Sequence, residues 1–139
     1  MLDSTKVLNG AFGKIHHDGE WMTNATGIEL NIDINYEEVP RPGTRVLGHK
    51  ATTITMEGTI QSYKTSRKFV DAISQILDDK KGAYVTEIIA ELDDPENPEM
   101  RGFYRIKGVQ FKNIPVLSFE HGGLVEEELQ FVFSGYEPM

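Results

Sequence analysis

Residues 28–37, IELNIDINYE, alternate without a break. Ile28, Leu30, Ile32, Ile34 and Tyr36 are apolar, and Glu29, Asn31, Asp33, Asn35 and Glu37 between them are polar or charged. A period of two describes a half-buried strand; a helix would bring its apolar residues round every 3–4 positions instead. A second alternation at 53–60 turns Ile54, Met56 and Ile60 inward and Thr53, Thr55, Glu57 and Thr59 outward. Gly58 interrupts it and marks a bulge or a close backbone approach.

Further strands follow. YVTEIIAEL (84–92) carries apolar residues on both faces, and DDPENPEMR (93–101) is a proline-broken acidic turn. FYRIKGVQF (103–111) changes phase at Gly108, with Tyr104 and Ile106 inward before it and Val109 and Phe111 after it, which is how a β-bulge reads. VLSF (116–119) and LQFVF (129–133) read as the last two strands, separated by a Gly122-Gly123 turn. One helix is expected at about 65–81, because Phe69, Val70, Ile73, Ile76 and Leu77 form one stripe and Gly82 can cap its C-terminus. Six or seven strands to one helix define a mostly antiparallel β-sandwich or barrel with a flanking helix. At 139 residues the chain is a single domain (1–139). Two stretches are not needed to close such a domain: an N-terminal arm of about 1–20 and a long loop of about 37–50 with two prolines and two glycines.

Composition and motifs exclude much chemistry. With no cysteine there is no disulfide scaffold, thiolate zinc site or cysteine nucleophile. No apolar run approaches the roughly 18 residues of a membrane helix, and the first ten residues lack the pattern of a signal peptide. His16 and His17 are adjacent and point to opposite faces of a strand, so they cannot chelate one ion together. Like His49 and His121, they read as exposed loop histidines. NIDIN (31–35) imitates a calcium loop but has Tyr36 where glycine and Pro42 where glutamate is required. Gly10 and Gly13 are followed by no phosphate-loop Lys-Ser or Lys-Thr pair. Neither a catalytic site nor a cofactor is expected.

Charge is informative by its placement. Twenty-two acids against fourteen bases give a net −8, which repels nucleic-acid phosphate. Five of the bases (Lys64, Arg67, Lys68, Lys80 and Lys81) lie on or beside the expected helix, whereas residues 113–139 hold five acids and no base. Arg67 and Lys68 oppose the helix dipole, so they are expected to serve a subunit contact. Such segregation suits heterologous contact between copies.

Several segments together resemble a known family. NGAFGKIHHDGEW (9–21), the alternating strand up to EEVP (37–40), GTIQSYK (58–64), the Asp-Pro turn at 94–95 and FVFSGYEP (131–138) occur in an order and spacing similar to the tail tube proteins of contractile-tailed bacteriophages, in the branch of defective prophages and phage-tail-like bacteriocins. The resemblance spans the chain; His16-His17 stands where that pattern leads one to expect an apolar pair. It implies a non-enzymatic subunit of hexameric rings that stack into a hollow tube, in a virion tail assembled in the host cytoplasm. Its implied partners are copies of itself, a tail sheath protein, and baseplate, initiator and terminator proteins, with DNA passing through unbound. It also implies that the long loop joins rings, which falls on Pro40, Arg41, Pro42, Gly43 and Arg45. A conducting channel must not hold DNA, so its lining is expected on two strand faces without a base: Glu29, Asn31, Asp33 and Asn35, and Thr53, Thr55, Glu57 and Thr59. Arg105, Lys107 and Lys112 are then expected to face away. The alternatives are a monomeric β-barrel that binds a ligand inside, or the tube protein of a bacterial contractile secretion system.

Overall fold

A computed structural model describes residues 2–8, 10, 13–65, 67–97, 99 and 102–138. Eight antiparallel strands form one sheet in the order β2-β1-β5-β6-β7-β4-β3, with β8 added to the side of β6. They are β1 Gly13–His17, β2 Glu20–Trp21, β3 Ala25–Val39, β4 Gly48–Tyr63, β5 Val85–Leu92, β6 Gly102–Phe111, β7 Glu126–Val132 and β8 Gly135–Pro138. The sheet curls around a core shared by β1, β4, β5, β6 and β7. Residues 22–24 carry the chain from one end of it to the other: Met22 N–H donates to Ile15 C=O (2.8 Å), prolonging β1–β2, and Tyr63 N–H to Asn24 C=O (2.9 Å), prolonging β3–β4.

Inside the curl, Ile60, Ile88, Ile106, Val109, Leu129 and Phe131 are fully buried. Each contributes about 1.5–3 kcal/mol through the apolar surface it removes from water. The bulge expected at Gly108 is present: its φ is +66°, and the β5–β6 register shifts between Thr86 and Ile88. That shift lets Ile106 and Val109, three apart, both face the core. Gly58 is the close approach its position implied, because a Cβ there would stand 2.5 Å from Phe131 Cζ.

Four boundaries differ from the sequence reading. The stretch 37–50 is mostly strand: Glu37 pairs with Lys50, Glu38 with His49 and Val39 with Gly48, so only 40–47 is loop. The helix is shorter than 65–81. Helix α1 covers Lys68–Ile73, and a 3-10 turn, Ser74–Leu77, ends where Asp78 becomes extended. Val70 and Ile73 are buried but Ile76 and Leu77 are exposed, so no core contact carries the helix further. Gly82 lies beyond it and is no left-handed cap. The second part of the arm expected over 1–20 belongs to the sheet, since 13–21 form the β1–β2 hairpin. Residues 2–8 fold back on the acidic turn, where Asn97 Nδ2 donates to Lys6 C=O (2.8 Å) and Lys6 Nζ to Glu96 C=O (3.0 Å). Finally, VLSF at 116–119 is not a strand: residues 113–120 are irregular.

Candidate assembly surfaces

The β3–β4 hairpin outgrows the sheet it belongs to. Strand β7 pairs with β4 only from Glu57 to Tyr63, and Phe133 N–H reaches Met56 C=O (3.2 Å). Residues 48–55 therefore have β3 on one side and no strand partner on the other among the described residues. β3, at the end of the sheet, has no strand on its outer edge among the described residues. The result is a two-stranded ribbon projecting about 25 Å, at 3.3 Å per residue, with both edges open.

Its two faces differ sharply. In the register, Glu29 stands opposite Thr59, Asn31 opposite Glu57, Asp33 opposite Thr55 and Asn35 opposite Thr53. The two base-free sets read from the sequence thus become one continuous polar face. Asn35 Nδ2 donates to Thr53 Oγ1 (2.9 Å) and Asn31 Nδ2 to Asp33 Oδ1 (3.3 Å). Lys112 lies beside this polar face, because its ammonium reaches Glu57 Oε1 at 3.2 Å. Phe111 points into the core, so Lys112 must point to the outside, where Glu57 lies. Arg105 and Lys107 share Glu137 at 3.4 and 3.0 Å.

The opposite face carries Leu30, Ile32, Ile34, Tyr36 and Ile54, and none of the described residues covers it. Ile34 is 48% exposed and Ile54 59%. The alternation at 28–37 forecast a half-buried strand; within one subunit only its Ile28 end packs on the core, and from Leu30 on the apolar side faces solvent. A contiguous apolar face is costly on an isolated monomer and marks an interaction surface.

The loop 40–47 is ordered by its own bonds. Arg41 Nε donates to Val46 C=O (3.2 Å), Val46 N–H donates to Thr44 Oγ1 (3.1 Å), and Gly43 takes the left-handed turn at φ +81°. Pro40, Pro42 and Arg45 are exposed on it. Of the expected subunit contacts, Arg67 is exposed at the helix start and Lys68 binds Glu20 at 3.1 Å within the chain.

A second apolar surface escaped the sequence reading. Between β6 and β7, Val116, Leu117, Phe119 and Leu124 are exposed, Leu117 at 72%. Pro115 before them and Gly122-Gly123 between Phe119 and Leu124 were the available signal that this run is a loop. Its base is fixed by Lys64 Nζ, which donates to Pro115 C=O (2.9 Å) and pairs with Glu127 at 3.2 Å, both side chains nearly buried.

Among the described residues, no three His, Asp or Glu side chains converge for a metal. His17 is buried rather than exposed in a loop, because it shares the inward face of β1 with Ile15. Its Nε2 meets Thr86 Oγ1 (2.9 Å) and Tyr84 Oη (3.2 Å), and its ring lies 4.8 Å from that of Phe69. Burial holds its pKa below the usual 6.5, aided by Lys68 and opposed by Asp18 and Glu20.

What distinguishes the surface is a set of open edges and uncovered apolar faces on a curled β-sheet, which define a protein built to associate. Over residues 1–139 the chain matches the family described as "Phage tail tube protein", and it belongs to that family. It is 28% identical to the phage-like element PBSX protein XkdM of Bacillus subtilis (strain 168), over 98% of this chain and 92% of that protein. Its fold is similar to a chain in the sheath-tube complex of an extracellular contractile injection system, PVC, in the extended state (TM-score 0.74, 11% identity, 95% of this chain and 90% of that one). It is also similar to a chain of the anti-feeding prophage tube-terminating cap (TM-score 0.71, 11% identity, the same two coverages). The chain is therefore a structural subunit of a phage-type tail tube and a component of the tail.

Proposed function

We propose that the subunit forms hexameric rings that stack into a hollow tube, with the polar face of the β3–β4 hairpin toward the channel. The observation that carries this reading is the in-register alignment of Glu29, Asn31, Asp33 and Asn35 with Thr59, Glu57, Thr55 and Thr53. That ribbon has bare edges on both sides and an uncovered apolar back. Edge-to-edge pairing of neighbouring hairpins removes the edges, and an adjacent subunit covers the back. The loop 40–47 contacts the next ring, a sheath surrounds the tube, and baseplate, initiator and terminator proteins bound its ends. Assembly takes place in the host cytoplasm, DNA passes without being held, and the subunit catalyses nothing. Negative-stain microscopy of the concentrated purified protein tests this. Rings or tubes are expected; monomers alone, with and without sheath and baseplate initiator, would overturn it.

A further inference from the structure

We propose that successive rings meet through one specific pair of surfaces: the hairpin tip, 40–47, of one copy seats on the 113–125 segment of the next. This rests on the tube reading and names the receptor of its inter-ring loop.

The two surfaces lie at opposite ends of β4. Gly48 adjoins the tip, whereas Tyr63 stands opposite Glu126, and Lys64 holds Pro115. Sixteen residues separate these ends, about 50 Å at 3.3 Å per residue, so they cannot meet within one chain. Each carries exposed apolar side chains that its own subunit leaves uncovered, Val46 at the tip and Val116, Leu117, Phe119 and Leu124 on the segment. Their charges are opposite. The tip, 40–47, contains Arg41 and Arg45 and no acid, whereas residues 113–125 contain Glu120 and no base and are followed at once by Glu126 and Glu128. Beside the segment is a concavity of about 510 Å³ whose lining includes Pro115, Ser118, Glu126, Glu127 and Glu128. A basic apolar tip fits an acidic apolar seat. Complementary patches at opposite ends make a heterologous contact, which propagates along a line. A second copy of the chain meets all of these conditions.

Because the chain has no cysteine, the contact can be trapped directly. Tubes of V46C/L117C, oxidised and run without reductant, are expected to give a ladder that continues past six copies. Neither single variant gives a ladder, and a mixture of the two stops at the dimer. Independently, R45E is expected to raise the concentration needed for tube growth by more than about tenfold, and R45E/E120R to restore it to within about threefold. A ladder that ends at six places the contact within a ring and overturns the proposal, as do tubes that give no ladder. Failure of the double reversal overturns the charge match between tip and segment on which the proposal rests. Absence of rings and tubes from the wild-type protein instead removes the tube reading beneath it.

Discussion

Gly58 lies directly beneath the ring of Phe131, its cross-strand partner in the β4–β7 register. A Cβ on Gly58 would come within 2.5–2.7 Å of that ring and 2.9 Å of Leu30 Cδ2. Phe131 is fully buried and has nowhere to retreat. Gly58→Ala is therefore expected to cost about 1–3 kcal/mol by overpacking, read from urea denaturation of the dissociated subunit. In a Phe131→Leu background the cost should shrink, because the pair share one space. Equal penalties in both backgrounds would refute the steric account.

Truncating Glu127 should expose how firmly the 113–125 segment is anchored. Its carboxylate takes Lys64 at 3.2 Å and the Ser62 hydroxyl at 3.4 Å. Glu127→Ala leaves a nearly buried ammonium with only Pro115 C=O, an expected loss of about 3 kcal/mol. Chemical denaturation measures it; a change below about 0.5 kcal/mol, the usual range for an exposed site, would mean the pair is effectively solvated.

The uncovered hairpin face separates stability from assembly. Ile34→Asp is expected to change subunit stability by less than about 0.5 kcal/mol, since the side chain is half exposed, while abolishing rings and tubes. Denaturation and microscopy on the same preparation give both readings. Normal tubes from this variant would show that no neighbour covers the face.

His17 sets a pH dependence whose sign follows from its burial. Its pKa in the folded chain lies below the unfolded value of about 6.5, so the unfolded state binds the proton more readily. The stability it contributes is complete above pH 6.5 and is lost as pH falls from there through the lower folded value. His17→Gln retains a partner for Thr86 and Tyr84 but removes the titration. Its stability should vary less with pH over this window than that of the wild type; identical slopes would show that other groups govern it.

The channel lining predicts a gain of function. E29K/D33K/E57K replaces the acids of the polar face and releases Lys112 from Glu57. Its tubes should assemble normally yet retain DNA at low salt, with non-specific affinity of about 10⁻⁴ to 10⁻⁶ M that falls as salt rises. Normal tubes with no gain in retention would place this face away from the channel.

Much of the sheet was legible because burial is one-sided there. Ile60 falls inward as expected, and the phase change at Gly108 located the bulge. The outer hairpin was harder to read. Glu37, Glu38, His49 and Lys50 flank the turn with no apolar partner, because water lies on both sides, and backbone pairing alone makes them strand. The reverse error occurred at VLSF, whose apolar residues suggested core and instead lie outside. The eight polar positions of the hairpin could be read as two faces, but only the register shows that they are one. His17 was readable in principle, two residues from Ile15 and hence on the same face of β1.

The paired register from Ile28 to Val39 also bears on the speed of growth. Since the reaching element is already folded in the free subunit, docking does not wait for a disordered arm to find its conformation, and little backbone freedom is lost at the moment of contact. Addition at a growing end should then be limited by encounter and orientation, with a rate constant of about 10⁵–10⁷ M⁻¹s⁻¹ and little dependence on temperature beyond that of diffusion.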